Sequence, residues 1–473
     1  MCNHTKKSGK HCARCPLHVF GLRRKPTSIA LPAILTGRRP DEPDAAPINP
    51  IPNGMSRRNF LRKMSTVGAV GVGLSVMPKW MPRMAFAQSP QQSNGEIVVV
   101  VFLRGGIDGL TAVAPYFEGS SYYDKRPTQH LKEPGSGAEA AINLDGRFGI
   151  HPAMQPLKDI YDAGDLAFIH ATGLTDPTRS HFDAMMLMEF GTPGNKTTTD
   201  GWLARYLKAT ADRNGSPFRA VGMGHILPTS LAGGVSALAL QSIADFHMDG
   251  RADEIARMQK ALADLYTINA PQDELDQQAR LAFDTFDQME TLRTQPYVPA
   301  HGAQYPESEF GMGLRHIAQI AKADVGLEVA TVDIGGWDTH EQQGTFGGEF
   351  EILLRDLTSG LNAFYRDMGN DMRRVTVITM SEFGRTVDEN ASAGTDHGHG
   401  NFMMLMGGGV NGGQVYTDWP TLNEDALADG DLAITTDYRD VLAEVVANRL
   451  YSNDLDFIFP NFTTTPLGLV APA

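Results

Sequence analysis

The sequence predicts an α/β fold with a mainly parallel central sheet flanked by helices. Its short apolar runs do not alternate with polar residues, and Ile97–Leu103 is the clearest of them. Such runs are typical of strands that are buried on both faces. Helical patterns lie between the runs, and strands that alternate with helices form parallel sheets. The chain has 473 residues, of which 42% are hydrophobic and 20% charged, so it is long enough for one large domain.

Five apolar runs are predicted to be strands of this sheet. They are Ile97–Leu103, Leu166–His170, Leu327–Val332, Val375–Met380 and Phe402–Met406. The clearest helix follows the third strand, where apolar residues recur at helical spacing from Phe350 to Met368. A charged segment over residues 253–294 also has helical spacing. We interpret residues 250–320, approximately, as a helical insertion with a solvated face and as a candidate cap over the functional site.

The first 87 residues are predicted to end in an export signal. They carry 15 basic and 3 acidic side chains, whereas residues 88–473 carry 26 basic and 52 acidic ones, a net charge of −26. Ser56–Lys63 matches the twin-arginine signal, and Thr66–Met77 is mildly apolar but too short to span a bilayer. Ala85-Phe86-Ala87 fits a cleavage site. We therefore expect a signal peptide over residues 55–87, contact with the twin-arginine translocase, and a periplasmic or secreted protein without a stable membrane span.

The segment that precedes the signal, residues 1–54, is rich in Pro and Arg and has no sustained apolar period. It is predicted to be disordered. Alternatively, translation starts at Met55, and residues 1–54 are not part of the protein. Cys2, Cys12 and Cys15 have spacing that suits a zinc site, but no second Cys pair follows them. Cleavage after Ala87 would leave a mature chain, residues 88–473, without any cysteine.

The acidic charge of residues 88–473 excludes several classes of partner. Phosphate backbones and anionic lipid surfaces bind basic faces, so neither nucleic acid nor an anionic membrane is expected as the main partner. The glycines of Gly407–Gly413 lack the strand–helix context and the trailing Lys-Ser/Thr of a phosphate-binding loop, which argues against nucleotide binding.

Polar residues follow the predicted strands, and the carboxyl ends of parallel strands meet at one edge of a sheet. Carboxylates and neutral imidazoles are ligands for divalent metals, and carboxylates that converge without a cation repel one another. We therefore expect one or more divalent metal ions at this edge, with zinc, calcium, magnesium and manganese as the alternatives. The candidate ligands are Asp108, Asp338, His340, Glu382, Asp396, His397 and His399. The competing interpretation is a polar rim that only binds a ligand or acts as a scaffold.

The segments that follow the strands resemble motifs of the domain-of-unknown-function-1501 family (DUF1501) of exported bacterial proteins. They are Arg104–Leu110, Arg179–Ala184, Gly336–His340, Ser381–Thr386 and Gly394–Gly398. The resemblance extends over most of Gly95–Val470 and is specific for the family. It implies a fold similar to that of alkaline phosphatases, sulfatases and cofactor-independent phosphoglycerate mutases, but it implies no particular activity.

The resemblance to this wider superfamily implies a role for several residues. Asp108 matches a metal-binding Asp after the first strand, Ser180 matches a nucleophile at a helix start, and Asp338 with His340 matches an Asp and a His on one metal. Glu382 stands where the superfamily has an Asp, but Phe383 replaces the following His, which puts a full second metal site in doubt. The last His matches His397 or His399; alternatively, Asp396-His397-Gly398-His399 itself resembles the phosphatase Asp-His-x-His motif.

The function that these features predict is that of an exported metal-dependent hydrolase. Its substrate would be a small-molecule or saccharide ester of phosphate or sulfate, and Ser180 would attack it as the nucleophile. Arg179 and Arg385 are candidates to offset the charge of the transferred group, and His181 is a further candidate for substrate binding. Ser180 could equally cap the helix that follows it, with Asp183 three residues on.

Two further function classes compete with this one. A formylglycine sulfatase is not expected, because Asp176–Ser180 only loosely resembles the maturation signature of that class and the mature chain lacks cysteine. The alternative to an enzyme is a catalytically inactive periplasmic or surface binding or scaffold protein that retains the fold. The missing His at Phe383 favours this alternative, and the dense metal-type ligands oppose it.

Overall fold

The structure is a computed structural model that describes residues 84–85, 95–244, 257, 285 and 288–472. The predicted N-terminal segment 1–54, the twin-arginine motif and most of residues 250–287 lie outside the described residues. None of the described helices is both long enough and apolar enough to cross a lipid bilayer.

The strands form a large sheet and a small one. The described part of the chain has thirteen strands, which are β1 Met84–Ala85, β2 Ile97–Leu103, β3 Val113–Ala114, β4 Ile142–Asn143, β5 Gly149–Ile150, β6 Leu166–Gly173, β7 Ala220–Met223, β8 Ala237–Leu240, β9 Val329–Ile334, β10 Val375–Met380, β11 Asn401–Gly407, β12 Val415–Tyr416 and β13 Thr436–Asp437. The large sheet has ten strands in the order β1-β8-β7-β9-β2-β10-β11-β6-β12, and β13 pairs with β6. The small sheet has the order β3-β5-β4.

Nine helices with defined bounds accompany these sheets among the described residues. They are α1 Gly109–Ala112, α2 Ser120–Tyr123, α3 Gln155–Asp162, α4 His181–Phe190, α5 Trp202–Ala209, α6 Glu309–Lys322, α7 Glu349–Met368, α8 Tyr438–Asn448 and α9 Leu455–Ile458. Short 3-10 helices occupy Tyr116–Glu118, Pro152–Met154, Ala211–Arg213, Thr229–Leu231, Ala300–Gly302, Gly369–Arg374 and Glu424–Ala426.

Strand β2 lies in the middle of the sheet, where its residues face two separate cores. All seven of its side chains are buried. Val99 and Val101 belong to one apolar cluster, which includes Leu314 of α6 and Leu354 of α7. Val98 and Val100 belong to a second cluster, which includes side chains of α4, α5 and α8. Helices thus cover both faces of the sheet, which is why the run does not alternate, and the predicted α/β class is confirmed.

The sheet brings the ends of several strands to one edge. Strand β2 pairs in parallel with both β9 and β10, and β9 pairs in parallel with β7. Strand β11 runs antiparallel to its neighbours β10 and β6, so it begins at the edge where they end. The segments after β2, β6, β9 and β10 and the segment before β11 therefore meet at the same edge of the sheet.

Two helices from the C-terminal part of the chain cover one face of the sheet. In α7 the predicted apolar stripe is buried at Phe350, Leu357 and Phe364, among others, and Leu353 is half-buried. Helix α6 begins at the capping residue Ser308, whose hydroxyl accepts from Gly311 N, and it packs against α7 and β9. The C-terminal end of the predicted insertion thus contributes a helix to the main domain.

Candidate metal centre

Three imidazoles and one carboxylate meet at the carboxyl edge of the sheet. His181 opens α4, Asp338 and His340 follow β9, and His397 lies in the loop before β11. His397 Nε2 lies 2.9 Å from the Nε2 atoms of both His181 and His340. Asp338 Oδ1 lies 3.0 Å from His340 Nε2 and His397 Nε2 and 3.4 Å from His181 Nε2. We call these four residues the inner group.

Each imidazole of the inner group uses its other nitrogen, Nδ1, to contact an acceptor outside the group. The acceptors are Glu382 Oε1 at 2.6 Å from His181, Asp396 Oδ1 at 2.9 Å from His340, and the Arg179 carbonyl at 2.9 Å from His397. Carboxylate and carbonyl oxygens accept hydrogen bonds, so the proton of each neutral imidazole is held on Nδ1. The three Nε2 atoms that face one another are then all bare acceptors.

Four acceptor atoms at these separations require a positive charge between them. Neutral imidazole nitrogen and carboxylate oxygen are the donor atoms that zinc and similar divalent ions take in proteins. His181, Asp338 and His397 offer ligand atoms within 4.8 Å of one another, so they could hold a metal ion. Imidazoles whose second nitrogen is held by a carboxylate or a carbonyl are the usual arrangement around such ions. The residues present therefore fit a divalent metal.

The protonation of these groups follows from their surroundings. The hydrogen bond from His181 to Glu382 raises the pKa of His181, so that in the absence of an ion a proton can supply the positive charge. Burial lowers the pKa of His397, which keeps that ring neutral. Burial alone would raise the pKa of Asp338, but the hydrogen bond and the positive charge of Arg385 lower it to about 2, so its carboxylate is ionised at neutral pH.

Arg385, a predicted substrate contact, is buried and holds the loops of the site together. Its guanidinium donates to the carbonyls of Gly105, Gly106, Trp337 and Thr395, and its NH2 group lies 2.8 Å from Asp338 Oδ1. Gly105 has a φ of +120°, and a Cβ there would lie 2.8 Å from the amide nitrogen of Asp338. Glycine is therefore needed where the loops after β2 and β9 pack backbone against backbone.

Asp108, a predicted metal ligand, forms a buried ion pair. Its Oδ2 accepts from Arg126 at 2.6 Å and from Thr111 and Gln343 at 2.7 Å each. Burial would raise the pKa of Asp108, but the charge and hydrogen bond of Arg126 hold it below its ordinary value. The structure does not bring Asp108 into the inner group, because an arginine already offsets its charge.

Two other predicted ligands, Glu382 and Asp396, contact the inner group from outside, and a third, His399, is not part of it. Glu382 is fully buried and accepts from Gly105 N at 2.8 Å as well as from His181, so it orients that ring. The exposed Asp396 orients His340, and the hydrogen bond from His340 lowers the pKa of Asp396. His399 is half-buried, and burial lowers the pKa of its imidazole.

Ser180, the predicted nucleophile, immediately precedes α4 and is exposed. Its hydroxyl makes no capping hydrogen bond, and Asp183 pairs with Lys196 at 2.6 Å, so no capping box forms. Arg179, the residue before it, donates to the buried Asp431 at 2.5 Å. The side chain of Ser180 is thus not used to start the helix.

Phe383, at the position where the family resemblance implied a His, packs on the inner group. Its ring centroid lies 4.8 Å from those of His181 and His397. It therefore forms an apolar wall beside two of the imidazoles. The sequence contained no local signal for this contact or for the pairing of Arg126 with Asp108. The sequence did indicate that His181 could belong to the inner group, because His181, like the other candidate ligands, lies in a segment that follows a strand.

Comparisons with known proteins identify a family and distant structural neighbours. The family model described as "Protein of unknown function (DUF1501)" matches residues 96–451. No curated protein matches the chain in sequence. The C-terminal periplasmic domain of EcEptC from Escherichia coli in complex with zinc is similar at 10% identity and a TM-score of 0.32, over 68% of this chain and 77% of that one.

Two further solved structures are similar to the same degree. The lipoteichoic acid synthase LtaP from Listeria monocytogenes has 9% identity and a TM-score of 0.31, over 73% of this chain and 75% of its own. A mutant of the alkaline phosphatase PafA has 10% identity and a TM-score of 0.29, over 63% of this chain and 64% of its own.

Proposed function

The chain belongs to the DUF1501 family, and from that starting point we propose that it is an exported, metal-dependent hydrolase of phosphate or sulfate esters. The observation that carries the proposal is the inner group, His181, Asp338, His340 and His397, in which four acceptor atoms face one another. These four residues would hold the metal, and Glu382 and Asp396 would keep two of the rings in the required orientation.

The bound metal would supply Lewis-acid polarisation of an ester oxygen and would favour the ionised form of an attacking hydroxyl. Ser180 would provide that hydroxyl, because it adjoins His181 and its side chain makes no capping hydrogen bond. Its Oγ would give up its proton to solvent and bond to the phosphorus or sulfur atom while the bond to the alcohol oxygen breaks, and the alcohol would leave after taking a proton from solvent. Water would then hydrolyse the serine ester, which releases phosphate or sulfate and restores the serine hydroxyl. The amide groups at the start of α4 would stabilise negative charge on the transferred group.

The charge of the chain limits the substrate. Residues 88–473 have a net charge of −26, which repels polyanions. A divalent ion, offset by the single carboxylate of Asp338, would leave the inner group locally positive. A small ester with one anionic group suits this arrangement.

The test is metal analysis of the purified protein, followed by assays on panels of aryl phosphates and aryl sulfates. We expect about one equivalent of metal per chain, in line with one set of four ligands. Asp338→Asn should lose both metal and turnover, whereas Ser180→Ala should lose turnover by a factor of at least about 10² and keep the metal. Ser120→Ala is the matched control, since Ser120 is also an exposed serine at the start of a helix. Metal-free protein without turnover on any ester would refute the proposal.

A second candidate function is an inactive binding or scaffold protein. Phe383 would favour it, because a buried phenyl ring lies beside His181 at the position where the resemblance implies a metal-binding imidazole. This candidate predicts that metal binds at the inner group, that Ser180→Ala changes nothing measurable, and that no ester in the panels is hydrolysed.

Export is the other part of the proposal. The twin-arginine motif at Arg57 and Arg58 is its support. Replacing both residues by lysine keeps the charge and should hold the protein inside the cell, as measured by fractionation. Unchanged release of the doubly substituted protein would contradict export through the twin-arginine translocase.

A further inference from the structure

Phe182 is an aromatic side chain that the fold leaves in solvent beside the candidate nucleophile. It is 89% exposed, more than any other large hydrophobic residue that the structure describes. Burying such a side chain would gain about 1.5–3 kcal/mol relative to leaving it exposed. The fold forgoes this gain at the residue that directly follows His181.

Phe182 lies at the end of α4 that carries the candidate site. It is the second residue of the helix, and Ser180 immediately precedes the first. The Cα–Cβ bond of a helical residue tilts toward the helix N-terminus. The phenyl ring therefore projects from the end of α4 that carries Ser180 and His181, rather than from its middle.

The residues around Phe182 are committed to other contacts. His181 is held by Glu382 at 2.6 Å, and Asp183 pairs with Lys196 at 2.6 Å. No aromatic ring or cation within the described part of the chain contacts the Phe182 ring. Met185, one turn further along α4, is half-buried and packs on the second apolar cluster. Phe182 is thus an exposed apolar side chain next to a site whose inner group is polar.

We propose that Phe182 binds the apolar alcohol portion of the substrate, so that the substrates are phosphate or sulfate monoesters of aryl or other apolar alcohols. The proposal rests on the proposed function for the reacting group and adds the class of leaving alcohol. The inner group and the start of α4 would bind the anionic end of the ester, while the phenyl ring of Phe182 would stack on its apolar end. The acidic body favours the same class, since such esters carry only one anionic group.

The experiment measures binding as well as turnover. Calorimetry with the zinc-loaded full-length protein compares phenylphosphonate with methylphosphonate, two anions that cannot be hydrolysed as esters and differ in their apolar part. Phe182→Ala should weaken phenylphosphonate binding about tenfold and leave methylphosphonate binding unchanged. Phe182→Trp should restore most of the loss. Phe457→Ala is the matched control, because Phe457 is 50% exposed in the short helix α9, and it should change neither affinity.

Turnover of an aryl and of a small hydrophilic phosphate ester separates this inference from the proposed function. If the wild-type protein hydrolyses both esters and Phe182→Ala slows neither selectively, the hydrolase stands and the role of Phe182 is refuted. If no ester is hydrolysed but phenylphosphonate binding still depends on Phe182, the hydrolase is refuted and the apolar subsite stands. Equal weakening of both phosphonates, no binding of either, or a change in oligomeric mass instead of affinity would each overturn the inference.

Discussion

Glu382 provides the sharpest test of the metal centre, because it touches the inner group through one hydrogen bond only. Its Oε1 accepts from His181 Nδ1 at 2.6 Å and from Gly105 N at 2.8 Å, and the side chain is fully buried. Glu382→Gln keeps the shape but replaces two charge-assisted hydrogen bonds by neutral ones. Bonds to charged groups contribute about 1.5–3 kcal/mol and neutral ones about 0.5–1.5 kcal/mol. The carboxamide can also turn its NH2 group toward His181 and favour the wrong tautomer.

We therefore expect Glu382→Gln to weaken zinc binding about 10- to 100-fold, or about 1.4–2.8 kcal/mol. Competition with a chromophoric chelator at pH 7 measures this change. Glu328→Gln is the control, because Glu328 is an equally buried carboxylate, which pairs with Arg219 at 3.0 Å. Glu328 directly precedes β9 and thus lies at the opposite end of that strand from Asp338. This substitution should lower the unfolding midpoint without affecting zinc. A zinc affinity for Glu382→Gln within twofold of wild type would refute the orienting role of Glu382.

Three further predictions concern charge and pH. Asp108→Asn should lower the free energy of unfolding in urea by about 3–5 kcal/mol, because it leaves Arg126 buried without its partner. The zinc stoichiometry should stay the same, and a loss of zinc would place Asp108 in the site. The pKa of Asp108 is lowered in the folded protein, so the contribution of Asp108 to stability is complete above its unfolded-state pKa of about 4. This contribution is lost as the pH falls through the folded-state pKa. Below about pH 4 the wild type should therefore lose more stability than Asp108→Asn. Zinc affinity should fall as the pH is lowered from about 7 to 5, since protons compete with zinc for His181, whose pKa is raised. Asp338, with a pKa of about 2, stays ionised over this range. A zinc affinity that does not change between these pH values would contradict ligation by imidazole.

The central sheet was predictable from its apolar runs. Ile97–Leu103 and Val375–Met380 have the bounds that the sequence predicts, because a strand covered on both faces must be apolar at every position. The direction of β11 was not predictable, since an apolar run reads the same in both directions. The apolar stripe from Phe350 to Met368 predicted helix α7, because a helix that packs on a sheet buries only one of its faces and is apolar at helical spacing along that face.

The candidate site was predictable as a set of residues but not as an arrangement. Asp338, His340 and His397 come together as the strand-end argument requires. Glu382 lies outside the inner group because its Oε1 accepts a hydrogen bond from the amide of Gly105, and His181 lies inside it. The sequence does not show this difference. A sequence shows which polar residues reach an edge, whereas their division into an inner and an outer ring depends on backbone geometry.

The inner group also ties together distant parts of the chain. His181 and His397 are 216 positions apart, and His340 and His397 are 57 apart. An ion held by His181 and His397 would act as a cross-link, and closing a loop of this length in the unfolded chain costs about 5 kcal/mol by the chain-entropy estimate used for disulfides. The site does not exist before β9, β10 and β11 have paired, so the folded chain must bind the ion far more tightly than the unfolded one. The concentration of available metal should therefore affect the stability of the folded protein.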